Sequence, residues 1–276
     1  MTTTRPTPSH SRQAPVPRER SHTLFFLDRI REFSPVHLDT EIDMTAVRAH
    51  RAAARAADRR FSVVSYVLHS AGRVLGGHPA ANAAVRGGWR PRLAYFDTVN
   101  GKVTLDKKVG GERVVVSTVL RGLATAELET IQRDVDHFRD GDPDTMPEFA
   151  AMRSLHRLPR PLGRLAFRLG VRPLARRADT MGTFAVTSLG HRPVDGFHSV
   201  GGTTVTLGVG RIADRPVVRD GAVTIAPVMR LNLTFDHRVI DGAEAADVLG
   251  EIKERLEKFP PYDGGLVPAT TAPEGS

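Results

Sequence analysis

The sequence predicts an α+β domain. Three observations point there: helix-spaced segments between residues 43 and 75, short alternating runs at 92–120 and again after Gly182, and no regular β-α-β alternation joining them. At 276 residues, with 40% hydrophobic and 25% charged side chains and no internal repeat, the chain has enough apolar material for one large domain.

Taken in order, Leu24, Leu27 and Ile30 give Thr23–Arg31 helical spacing, and Val36–Ile42 reads as extended. Asp43 is placed to cap an Ala- and Arg-rich helix from Met44 to Arg59. A more apolar helix follows from Phe61 to Leu75, with Gly76-Gly77 as its expected stop. LAYFDTV, KVTL and RVVVSTVL read as strands separated by Asn-Gly and Gly-Gly turns. Thr125–Phe138 returns to helical spacing, with Leu128, Ile131 and Val135 on one side. GTFAVTSLG, TTVTLGVG and APVMRLNLTFDH read as strands, the last after a turn at Asp220-Gly221, and a helix is expected over Ala243–Phe259.

Residues 1–21 mix Pro, Ser, Thr and Arg without an apolar run, so they read as a disordered leader, and 263–276 as a disordered tail. With neither a secretory-type segment nor an 18-residue apolar run, the expected location is cytoplasmic. Zero cysteines exclude disulfides, thiolate metal sites and a cysteine nucleophile. The net charge of +8 is concentrated: residues 151–180 hold eight arginines and one acid. That focus, with only 6% aromatic residues, argues against nucleic acid as a partner.

The densest chemical signal is MRLNLTFDHRVIDGAEAADVLGEIKERLEKF. Met229, Leu231, Leu233 and Phe235 alternate with Arg230, Asn232 and Thr234, as the buried face of a strand does. That strand ends at Asp236-His237, and Asp241-Gly242 opens a helix striped by Ala246, Leu249, Ile252 and Leu256. A histidine at a rigid strand end can be aimed as a general base. The residues alone leave open a hydrogen-bonded partial-core histidine, with Asp241 a simple helix cap.

FDHRVIDGAEAADVL resembles the D-H-R-x-x-D-G signature of the catalytic core of dihydrolipoyl acyltransferases of 2-oxoacid dehydrogenase complexes. The shorter H-x-x-x-D-G is shared with the chloramphenicol-acetyltransferase-like superfamily. GTFAVTSLG resembles the family's T-x-S-x-L-G strand, GRIADRPVVRDGAVTIAPVMRLNLTFDHR its hairpin, and PVHLDTEIDMTAVRAHR its early strand-to-helix passage. The resemblance implies a chloramphenicol-acetyltransferase-like mixed sheet flanked by helices, an acyltransferase catalytic domain over residues 22–262, and a coenzyme A-dependent acyl transfer. Acyl-coenzyme A or an acyl-carrier thioester is then the co-substrate, with no resident cofactor and no metal.

It further implies roles. His237 removes the proton from an attacking thiol, hydroxyl or amine, and a strand hydroxyl steadies the oxyanion. That hydroxyl maps to Thr187, with Ser188 the alternative if the register slips, and a plain β-branched strand residue the competing reading. Asp241 is expected to pair with Arg29 (Arg31 otherwise) and so hold the histidine loop, and Gly242 completes the motif. A homotrimer is implied, with each site between chains, His237 of one facing Thr187 of the next. The same site turned to thioester hydrolysis, condensation or cyclisation, or a trimeric scaffold without activity, are the alternatives.

Two departures stand out. The short leader has no room for a lipoyl or subunit-binding domain, and Asp106-Lys107 reads as a surface turn rather than a lipoylation site, so a free-standing enzyme is expected. An Arg/Pro/Leu-rich insertion at about 144–180 interleaves arginines with leucines around Pro159, Pro161 and Pro173. Residues 151–177 are read either as a docking site for an acidic carrier protein, an anionic membrane or coenzyme A phosphates, or as a packed helical flap with a solvated Arg face.

Overall fold

The computed structural model describes residues 14–264, so residues 1–13 of the expected leader and 265–276 of the expected tail lie outside it. A 3-10 turn at Arg18–Arg20 runs into α1, Ser21–Ile30, whose Ser21 and Phe25 are buried. The elements that follow are β1 Pro35–Asp43, α2 Thr45–Ala56, α3 Val63–Gly77, β2 Ala83–Arg86, β3 Arg92–Tyr95, β4 Gly101–Val109, β5 Glu112–Leu120 and α4 Leu128–Asp140. Then come α5 Ala150–Arg157, α6 Arg160–Val171, α7 Arg177–Thr180, β6 Phe184–Ser188, β7 Val205–Arg219, β8 Ala222–Asp236 and α8 Gly242–Glu257.

Local chemistry explains most boundaries. Asp43 accepts from the Thr45 amide at 3.0 Å and so tethers the start of α2. Ser62 caps α3 through the Ser65 amide at 3.1 Å. The expected stop at Gly76-Gly77 is instead the last turn of that helix. Asp220 and Gly221 both take positive φ (51° and 79°), as a two-residue hairpin turn between right-twisted strands requires. The short pair β2–β3 adds one strand, Ala83–Arg86, that its alanine-rich sequence did not announce.

Six strands form a mixed sheet in the order β1-β8-β7-β6-β4-β5, parallel only at β7–β6 and β6–β4. One face buries Ile42, Phe184, Val186, Leu207, Leu231, Leu233 and Phe235 against α2, α3, α4 and α8. The other face carries the alternate residues, and it is covered too. Asn232 and Thr234, which alternate with the core residues of β8, are buried as well, Asn232 beneath residues 196–198. There Asn232 accepts from the Phe197 amide at 3.1 Å. A Cβ on Gly208 would lie 2.3 Å from the Phe197 carbonyl oxygen, so only glycine admits this close cover.

The helical side holds a histidine whose titration should be visible. His69 on α3 abuts the Phe259 ring, and burial holds it at about 4, helped by Arg73, Arg255 and His50 and opposed by Glu127. Neutral His69 therefore contributes stability that is whole above pH 6.5 and lost as pH falls toward about 4. The loss should approach about 3 kcal/mol. Urea melts of wild type and His69→Gln across that range test it. The wild type should weaken faster on acidification, and equal slopes would place the acid sensitivity elsewhere.

Candidate active site

Strand β8 delivers its last residue, Asp236, into the interior, and that carboxylate organises the turn that follows. It accepts from the Ser34 amide (3.3 Å), the Arg238 amide (3.2 Å) and Arg238 Nε (2.9 Å). The Arg238 guanidinium in turn lies over the Phe33 ring at 5.1 Å. His237 is pinned by its own amide, which donates to the Ser34 carbonyl at 2.9 Å. The backbone is thus held on both sides while the ring, 46% exposed, projects from it against Phe235.

Asp241 does not pair with Arg29 as expected. Arg29 turns to Glu32, three residues on along its own segment, and Arg31 is exposed. The loop-holding ion pair is Asp236–Arg238, an i,i+2 contact within the D-H-R motif itself. Nor does Asp241 cap α8 with its side chain. Its Oδ1 stands 3.3 Å from His237 Nδ1. A carboxylate on that side favours the proton on Nδ1 and leaves Nε2 to accept another. Gly242 opens α8, and a Cβ there would meet nothing within 4 Å among the described residues.

Thr187 lies on β6 opposite Gly208 of β7, on the sheet face turned away from the main core. Thr104 of β4 donates to its hydroxyl oxygen at 2.9 Å, which leaves the Thr187 hydrogen free for another acceptor. Ser188 is excluded as its substitute by alternation: it follows Val186 on the opposite face, and its hydroxyl accepts from the Gly190 amide at 3.3 Å. Thr187 and Thr104 open onto a chamber of about 550 Å³, walled by the sheet, α1, α5 and α6.

His237 and Thr187 do not meet within one chain. Thr187 pairs with Gly208, and Gly208 with Asn232, so Thr187 is level with a residue five positions (237 − 232) before His237 and two strands away. At ordinary strand rise this is about 16 Å along the sheet alone. A base and an oxyanion donor must both lie about 3 Å from the reacting group.

The Arg-rich insertion folds as α5 and α6 packed on α1. Gly163 fits against Phe25, whose ring pairs with Phe167 at 6.2 Å, and Arg164 bridges to Asp28. Pro159 and Pro161 start α6 rather than break it, because proline suits the first helical turn. This is the packed flap of the two readings, with an added feature: Leu158, Leu162, Leu165 and Leu169 remain 39–61% exposed beside the arginines.

The structure thus sets a half-exposed histidine beside Asp241 at one strand end and a threonine hydroxyl on a chamber wall of the same sheet. Residues 151–261 match the model of the 2-oxoacid dehydrogenases acyltransferase (catalytic domain). A probable dihydrolipoamide acetyltransferase of Listeria monocytogenes superposes with a TM-score of 0.66 at 18% identity, covering 90% of this chain and 95% of that one. The dihydrolipoamide acetyltransferase of Azotobacter vinelandii gives 0.68 at 19% identity, covering 92% and 98%. These establish a shared fold, the α+β class with a mixed sheet flanked by helices expected from the sequence. The dihydrolipoyllysine-residue acetyltransferase component of the pyruvate dehydrogenase complex of Bacillus subtilis is 56% identical over 50 residues, 18% of this chain and 11% of that protein's length. No helix among the described residues is long and apolar enough to cross a membrane.

Proposed function

We propose that the protein transfers an acyl group between a coenzyme A or carrier thioester and a thiol, hydroxyl or amine acceptor. The observation that carries this is His237, its backbone clamped at a strand end and its Nδ1 facing Asp241, so that Nε2 is presented as a base. Nε2 takes the acceptor's proton as the acceptor attacks the thioester carbon. The carbonyl oxygen becomes an oxyanion, and the unused hydrogen of Thr187 stabilises it. Collapse expels the thiolate, which recovers the proton from His237.

The two residues belong to one site only if they come from neighbouring copies, which supports a homotrimer with its sites between chains. The names of the relatives indicate acetyl transfer to a dihydrolipoyl-lysine, so dihydrolipoamide is the acceptor to try first. An acidic carrier or an anionic membrane would be recruited by the exposed leucines of α6 and their arginines, among them Arg168 and Arg172. Purified protein should release free thiol from acyl-coenzyme A when the acceptor is present and not without it. Release without acceptor would make the enzyme a hydrolase. The active species should sediment at about three times the 30.1 kDa chain mass. Recruitment predicts that added salt raises the Michaelis constant for a carrier-bound donor alone.

A further inference from the structure

The chamber beside Thr187 contains a charge that the proposed chemistry does not use. Lys102 on β4 is 4% exposed and lines the chamber together with Thr104 and Thr187. Register places it there: Lys102 is opposite Ala185, two residues before Thr187 and on the same face. Its Nζ donates to the Gly201 carbonyl and stands 4.7 Å from the centre of the Phe26 ring. An ammonium has three donors, and these contacts occupy one of them.

Among the described residues no carboxylate pairs with it. Glu148, the acid on the chamber wall, is engaged by His137 at 2.9 Å. The other titratable wall residue, His22, bonds His156 at 2.9 Å, and burial lowers both imidazoles, so neither supplies an anion. The remaining wall is largely apolar, including Leu27, Val116, Phe149, Met152, Phe167 and Met181. Burial lowers Lys102 to about 8, so it is still mainly protonated at neutral pH. A lone buried cation is costly unless a partner arrives. Holding one carbonyl would not require a charge.

We infer that the chamber is an acyl-chain subsite for ω-carboxyacyl groups, in which Lys102 pairs with the terminal carboxylate while Thr187 holds the thioester oxygen at the other end. This rests on the acyl-transfer reading of the site and names its donor class. A volume of about 550 Å³ exceeds what an acetyl group fills and suits an apolar spacer of several carbons. Lys102 is then a specificity residue, remote from the bonds that change.

Binding and turnover test it separately, on the assembled wild-type protein and on Lys102→Met, which keeps the length without the charge. By calorimetry, wild type should bind hexanoate at least tenfold more tightly than hexanamide, and Lys102→Met should bind both alike. In transfer to dihydrolipoamide, wild type should favour adipoyl- over hexanoyl-coenzyme A in kcat/KM, and the variant should reverse that order. Hexanoate binding should also weaken as pH rises through about 8. Because the variant removes an unpaired buried charge, its thermal midpoint at pH 7 should be equal to or higher than that of wild type. Equal wild-type affinity for the two probes, or a preference that survives in Lys102→Met, overturns the carboxylate subsite. The calorimetric preference without transfer of any acyl group leaves the subsite standing and overturns the acyl-transfer reading.

Discussion

Replacing His237 with alanine should lower acyl transfer by about 10²–10⁴-fold while leaving the fold and assembly intact. The side chain is half exposed, and the backbone around it is held by groups the substitution does not touch: the His237 amide on Ser34 and the Asp236–Arg238 pair. Stability and sedimentation should therefore match wild type. Retention of more than about a tenth of the activity would mean that another group takes the proton. The same variant also probes where the site is built. Mixed with Thr187→Val chains and reassembled, it should regain activity in about a quarter of the sites, since random pairing places an intact His237 beside an intact Thr187 that often. Two inactive parents that stay inactive after mixing would mean that each chain supplies its own complete site.

Thr187→Val should reduce kcat by about 10²–10³-fold with little change in KM, because the lost hydrogen bond forms only as charge develops on the carbonyl oxygen. Valine keeps the β-branched shape that suits the strand, so packing is preserved. Thr187→Ser keeps the donor and should be mild. Thr104→Val offers a graded control: it removes the group that donates to the Thr187 oxygen but not the oxyanion donor itself, so its effect should be smaller. An unchanged kcat in Thr187→Val would move oxyanion stabilisation to a backbone amide. It would not move to Ser188, whose hydroxyl is on the opposite face and accepts from Gly190.

The two halves of the proposed chemistry differ in how they are encoded. His237 and Asp241 are four residues apart in one motif, and the strand that carries them announces itself by alternation, so the pair was readable in one dimension. The turn at Asp220-Gly221 was equally local, set by φ preference. Thr187 was legible by resemblance to a strand motif. Its donor Thr104 was not: 83 residues separate them, and only parallel pairing of β4 with β6 brings them together.

Charge pairing was the least legible. Arg29 could be matched to Asp241 on paper, yet in the fold it is closer to Glu32, and the structural pair forms between Asp236 and Arg238. An arginine pairs with whichever carboxylate the folded backbone brings near, here the buried Asp236 for Arg238, and that proximity is set by tertiary packing rather than by position in the chain.

The sequence by itself determined the α+β class, the buried alternation of β8, the hairpin turn and a histidine at a strand end, because each depends on periodicity or on chemistry within a few residues. Tertiary structure alone decided that the insertion packs on α1 to roof a chamber, that Asn232 and Thr234 are covered, and that Lys102 is buried beside Thr187 with no counter-charge among the described residues. The physical reason is that strand order and register bring distant residues onto one sheet face, and no local propensity encodes which strand will be the neighbour.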